Sequence, residues 1–143
     1  MFSFVYVYDS ECNMLCGFGG GNSNANQKGI FSKAVSLLVH EERILVADGD
    51  NNSITVFELT DYGSALKKAQ TAYILGDYEG SKELWHEVLS YNRNSKLAYR
   101  GLAMAYFVDG DFEKALDYAE KGLDYTVYDM AWKKVLSKRI SDN

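Results

Sequence analysis

Several stretches carry residue types that could do chemistry, and each lacks part of what that chemistry needs. In Gly17-Phe-Gly-Gly-Gly21 the glycines would let backbone N–H groups approach an anion, as a phosphate loop does. No Lys-Ser or Lys-Thr pair follows at the right spacing, and Asn22 to Gln27 opens no apolar-periodic helix, so a linker between β units is expected. Asp48, Asp50 and Asn52 alternate like the oxygen ligands of a calcium loop, yet Ser53 stands where the turn glycine belongs and Leu59 where the bidentate glutamate belongs. A hairpin turn is the better fit. His40 and His86 have no adjacent Cys or His and are expected at a surface or turn. Cys12 and Cys16, four apart in or beside a strand, lie too far apart to bridge without a sharp turn and are expected to be small buried thiols. The carboxylate pairs Glu41/Glu42 and Glu113/Asp117 fall in a turn and on a solvated helical face, with no apolar surroundings to split their pKa values for acid/base work. No motif assembles a nucleophile with its base. The expectation is a chain that is not an enzyme and takes no metal and no cofactor.

The elements that would position any site divide near Thr60. Before it Val, Ile, Phe, Tyr and Gly predominate; after it Ala, Leu, Lys and Glu, as helices prefer. Two modules are therefore expected, at 1–59 and 60–143, in an α+β chain. The formal charge of -5 argues against a nucleic-acid partner, which needs a basic face. Nowhere is there an apolar run of membrane-spanning length, so no membrane contact by this stretch of chain is expected, and Met1 to Tyr8 lacks the basic lead of a signal peptide. Because Phe2 to Tyr8 begins at once as a strand, the start fits a segment cut from a longer protein. Proline is absent, which leaves Gly, Asn and Asp to punctuate the turns.

Five strands are predicted, Phe2 to Tyr8, Met14 to Phe18, Val35 to Val39, Arg43 to Ala47 and Ser53 to Glu58. The tight polar turns between neighbours predict one short antiparallel meander, interrupted by the Gly/Asn-rich link Gly19 to Gly29, which parts two strands from three. Gly29-Ile-Phe31, Ile44 to Asp48 and Asn51 to Phe57 together resemble one NHL repeat of a β-propeller, and Val5 to Asp9 with Met14 to Gly19 resemble the outer strands of the preceding blade. Ala34 occupies the place of the proline usual in that family.

The second half repeats itself. Ala69, Gly76, Asp77, Glu79, Leu89 and Tyr91 recur 34 residues later as Ala103, Gly110, Asp111, Glu113, Leu123 and Tyr125. Helices are predicted from Asp61, after the Gly76-Asp-Tyr78 break, from Lys96 to Val108, from Phe112 to Leu123, and from Tyr128 to Ile140 as a capping helix. The small residues Ala69, Ala103 and Ala115 and the Gly-Asp-aromatic turns resemble tetratricopeptide (TPR) repeats, with Ser81 in place of one alanine and Arg93 and Val127 in place of the closing prolines. The order of modules resembles bacterial NHL-repeat proteins with a helical extension, which implies an extracytoplasmic position in a membrane-anchored parent.

The TPR resemblance implies a concave groove lined by Leu66, Gln70, Tyr73, Arg100, Met104 and Phe107. That lining suits an apolar helix or peptide better than an acidic tail, and Arg100 would orient it. Tyr118, Tyr125 and Tyr128 are expected as filler between helices. The expected function is non-catalytic protein or peptide binding. Two alternatives stand beside it: a purely structural helical cap on a truncated propeller, in which the two modules unfold as one, and a propeller enzyme whose site lies on other blades. Unpaired strand edges also invite a second copy to form a homodimer.

Overall fold

The computed structural model describes residues 3–20 and 29–141, so the starting residue Phe2 and most of the Gly19 to Gly29 link, including Gly21 and Asn22 to Gln27, lie outside the described residues. The chain divides into two compact units, Met1–Leu59 and Thr60–Asn143. The first holds strands β1 (Phe4–Tyr8), β2 (Met14–Gly19), β3 (Ala34–His40), β4 (Arg43–Asp48) and β5 (Ser53–Glu58). The second holds helices α1 (Asp61–Ile74), α2 (Tyr78–Tyr91), α3 (Lys96–Val108), α4 (Phe112–Gly122) and α5 (Tyr125–Ser141). The α+β class follows.

The strands part into two and three across the Gly/Asn-rich link, as the sequence implies. They make two antiparallel sheets, β1-β2 and β3-β4-β5. The cause lies at the end of β2, where Gly19 and Gly20 take φ of +98° and +113°, a region that glycine enters without strain. The ring of Phe31 then packs onto the bare Cα of Gly19, where any side chain would overlap it. Phe31 and Val46 are fully buried, and Phe57 packs at a tilt of 40° on Phe18 with ring centroids 4.3 Å apart and meets Phe31 edge-on at 6.2 Å. A cleft of about 410 Å³ opens between β1 and β3, floored by Val5, Leu37 and Val46. The Asp9 carboxylate closes the first turn by accepting from the N–H groups of Glu11 at 2.9 Å and Asn13 at 2.8 Å. Cys12 and Cys16 are free and exposed, contrary to expectation. Cys12 sits in that turn, and Cys16 belongs to the two-stranded sheet.

Each helix begins on a capping side chain. Thr60, Asp77, Ser95 and Asp111 accept from the N–H groups of Gly63, Gly80, Ala98 and Lys114, and Asp124 accepts from Val127 at 3.1 Å. That last cap starts α5 at Tyr125, three residues before the predicted Tyr128. The two Gly-Asp turns are copies of one another. Gly76 and Gly110 have φ of +80° and +81°, and the N–H groups of Asp77 and Asp111 reach back to the carbonyls of Ala72 and Tyr106, both at 3.0 Å. This helix-ending motif satisfies carbonyls that would otherwise be orphaned. Even the rings over the turns repeat, Tyr73 on Tyr78 and Phe107 on Phe112.

The core of this unit joins many small residues to a few large ones, with Trp85 and Leu102 fully buried. Ala69, Ala98, Ala103, Ala115, Ala119 and Ala131 are all buried, which lets helix backbones approach closely. Ser81 fits an alanine-sized place because its hydroxyl donates to the Tyr78 carbonyl at 2.8 Å. Trp85 of α2 is fully buried and lies over Gly101 of α3. Moved forward by 34 residues, this pair becomes Ala119 and Val135, so small and large exchange sides between the two repeat boundaries.

Candidate functional site

Helices α1 and α3 carry the residues expected to line a groove, and the structure places them unequally. Leu66 and Gln70 are 5% and 4% exposed, so they form part of the interior. Tyr73 is half-buried, with its ring edge-on to Tyr78 at 5.3 Å and to Trp85 at 6.2 Å. Met104 and Phe107 are half-buried together on a cluster of Ala103, Ala119 and Val127, which Tyr118 also joins. Arg100 is exposed, but its Nε donates to the Gly122 carbonyl at 3.1 Å, placing the cation at the C-terminal end of α4, where the helix dipole favours it. Met104 and Phe107 thus share one surface that keeps some exposure; Leu66 and Gln70 do not.

Sequence reasoning missed a second feature, a tyrosine-lysine ladder across α2, α3 and α4. Tyr106 and Tyr118 stack with centroids 5.3 Å apart and planes 9° from parallel, and Tyr99 also stacks on Tyr118, at 6.2 Å. His86 meets Tyr118 edge-on. Lys82 and Lys114 stand 5.1 and 5.0 Å from the Tyr106 ring centre, and Lys121 5.4 Å from that of Tyr118. The spacing of Tyr99 and Tyr106, seven apart on one helix face, was the available signal.

Every lysine of the ladder is matched by a carboxylate. Lys82 bonds both Asp109 and Glu79, Lys114 bonds Asp111 at 2.8 Å, and Lys121 bonds Asp117 at 2.6 Å. Hydrogen bonds donated to Asp109 and then to Glu79 raise the Lys82 pKa, and the Lys82 ammonium in turn holds the Asp109 carboxyl below its ordinary range. Burial pushes the Tyr118 hydroxyl up. Such a neutralised ladder ties three helices together and leaves little field with which to attract an anion.

In the β unit, Asp48 is the one strongly perturbed acid among the described residues. It is 3% exposed. Its carboxylate accepts from the backbone N–H groups of Ser32 at 2.8 Å, Lys33 at 3.1 Å and Asp50 at 3.1 Å, and from Asn51 Nδ2 at 2.7 Å. Burial alone would raise its pKa; these donors outweigh it and bring the value down to about 2. Donors fill the positions where a cation's charge would act, so Asp48 fastens the β4-β5 turn to the segment before β3. Among the described residues no group of three His, Cys, Asp or Glu side chains could hold a metal. No described helix is long and apolar enough to cross a membrane.

Paired helices of one period, small residues at their contacts and copied Gly-Asp turns define a TPR-like helical-repeat unit. The chain is 31% identical over 94 residues, 66% of its length, to the TPR repeat-containing protein MJ1428 of Methanocaldococcus jannaschii, and spans 16% of that protein. This similarity supports TPR repeats here. No protein-family model matches the chain, and no solved structure matches it. The NHL resemblance and the bacterial source it implied gain no support from these comparisons.

Proposed function

We propose that the helical unit is a non-catalytic module that binds an apolar peptide or helix of a protein partner across Met104 and Phe107, with Tyr73 as a further contact and Arg100 at the margin. The observation that carries this is the shared position of Met104 and Phe107 on the Ala103/Ala119/Val127 cluster: two large apolar side chains on a floor too small to cover them. Leu66 and Gln70 are buried and are not part of this surface. Burial of an apolar partner there supplies the affinity, at about 25 cal/mol for each Å² removed from water. Selection from a displayed random-peptide library tests it. Apolar peptides should be enriched on the wild-type chain and lost on Met104→Asp and Phe107→Asp variants of unchanged helix content; enrichment that survives both substitutions refutes it.

For the β unit we infer an NHL-like arrangement, one repeat and part of the blade before it. The reading is supported by the antiparallel β3-β4-β5 sheet, the buried Phe31 just ahead of it, and the Asp48 anchor in its turn.

A further inference from the structure

The helical unit sorts its charges. In a chain with 20 acidic and 15 basic residues carboxylates are in excess, and every lysine of the tyrosine ladder, like Lys133 of α5, is paired with one. Another face of the unit has no such pairing. The arc of α3 about Arg100 reads Lys96, Arg100, Met104 and Phe107, spaced by three and four residues, and holds no carboxylate. Moved forward by 34 residues, the same arc of α5 reads Met130, Lys134, Lys138 and Ser141, again without an acid.

Lys96, Arg100, Lys134 and Lys138 are all exposed, and among the described residues no carboxylate makes an ion pair with any of them. Arg100 donates from Nε to the Gly122 carbonyl, and the remaining donors of its fork are left for a ligand. Lys96 opens α3, where the helix dipole adds positive potential to its own charge. α3 touches α2, α4 and α5, and the arc stays open among them. On α5, Lys134 and Lys138 follow Val127 by seven and eleven residues, which keeps the three on one arc, and Val127 belongs to the cluster that carries Met104 and Phe107. The two large apolar side chains are thus bordered by cations on their own helix and on its neighbour.

We propose that the occupant of the Met104/Phe107 surface is an acidic segment of a protein partner, with apolar side chains on Met104 and Phe107 and Asp or Glu side chains beside them, held by Lys96, Arg100, Lys134 and Lys138. This rests on the peptide-binding role proposed for that surface and adds the partner's charge. Complementary charge selects such a segment and excludes basic ones, while apolar burial holds it. At about 1.5 Å per residue, the cations of α3 lie roughly 11 Å along the helix from the apolar pair, a span of about three residues of extended chain. The partner's acids are therefore expected about three residues from its apolar anchors.

Selection from a displayed random-peptide library tests this, read as the composition of the enriched pool on the wild-type chain, on Lys134→Glu/Lys138→Glu and on Phe107→Asp, with far-UV circular dichroism on each. On the wild type, Asp and Glu should be enriched together with apolar residues. The charge-reversed variant should keep the apolar enrichment, lose the acidic one, and bind the peptides selected on the wild type about fivefold more weakly, the scale of two exposed ion pairs. Lys134→Gln/Lys138→Gln should move both readouts in the same direction. Apolar enrichment on the wild type without acids overturns this inference and leaves the binding surface standing. Acidic peptides that bind the charge-reversed variant as tightly as the wild type overturn it as well, since their carboxylates are then held elsewhere. Absence of any enrichment, or enrichment that survives Phe107→Asp, overturns both the acidic partner and the surface.

Discussion

Replacing Gly101 by alanine puts two opposed effects on one atom. In the interior of a helix alanine is favoured over glycine by about 1 kcal/mol, so on propensity alone Gly101→Ala should stabilise α3. The structure reverses the sign. A Cβ built at Gly101 overlaps Cε2 and Nε1 of Trp85 and comes within 2.8 Å of Cδ1. Trp85 is fully buried, so its indole can retreat only by displacing α2. Overpacking of a well-filled core costs about 1–3 kcal/mol, and a rigid ring met by three atoms belongs near the upper end. The net loss should therefore be about 2 kcal/mol, which in a unit of this size lowers the melting temperature by roughly 8–16 °C. Thermal unfolding followed by helix ellipticity at 222 nm reads this directly. A double-mutant cycle with Trp85→Leu should remove most of the Gly101→Ala penalty, because the obstructing ring is gone. An unchanged or raised melting temperature for Gly101→Ala alone would refute the reasoning.

Other substitutions probe other parts of the account. Gly122→Ala should destabilise as well, since its Cβ would stand 2.9 Å from the Arg100 backbone nitrogen, which cannot step aside as a side chain can; a denaturant midpoint moved downward is the expected readout. Gly110→Ala meets no atom within 4 Å, so its cost should be backbone strain alone, about 1 kcal/mol, and Gly110→Asn should recover part of it. Ser81→Ala should alter stability by no more than about 0.5 kcal/mol, because the hydroxyl serves only its own helix. The Asp48 carboxyl is depressed to about 2, so its contribution is complete above the ordinary carboxyl range near pH 4 and is lost as pH falls toward 2. The backbone amide resonances of Ser32 and Lys33 should shift over that interval, and Asp48→Asn should abolish the transition.

Much of the architecture was legible because it rests on local chemistry. The 34-residue period placed four of the helices, and turn residues such as Asp9, Gly76 and Gly110 marked the element ends. What failed was decided at longer range. The parting of two strands from three at the Gly/Asn-rich link was legible, but the packing of Phe31 on Gly19 across that link was not. The start of α5 moved to Tyr125 because the Asp124 side chain caps it, while Leu123 takes the left-handed conformation that glycine usually supplies. The site was least legible. Family position put Leu66 and Gln70 beside Met104 and Phe107, but position on a helix does not say how far neighbouring elements cover a side chain. The Tyr99/Tyr106/Tyr118 ladder was hidden for the opposite reason, since its members come from two helices and become neighbours only when those helices stack.

The binding surface is tested most directly by titrating a selected apolar peptide into the ¹⁵N-labelled chain and mapping the amide shifts. The account predicts that the largest changes fall on Met104, Phe107 and Tyr73 and disappear in Phe107→Asp; changes confined to α5 or to the β unit, with Met104 and Phe107 still, would contradict it.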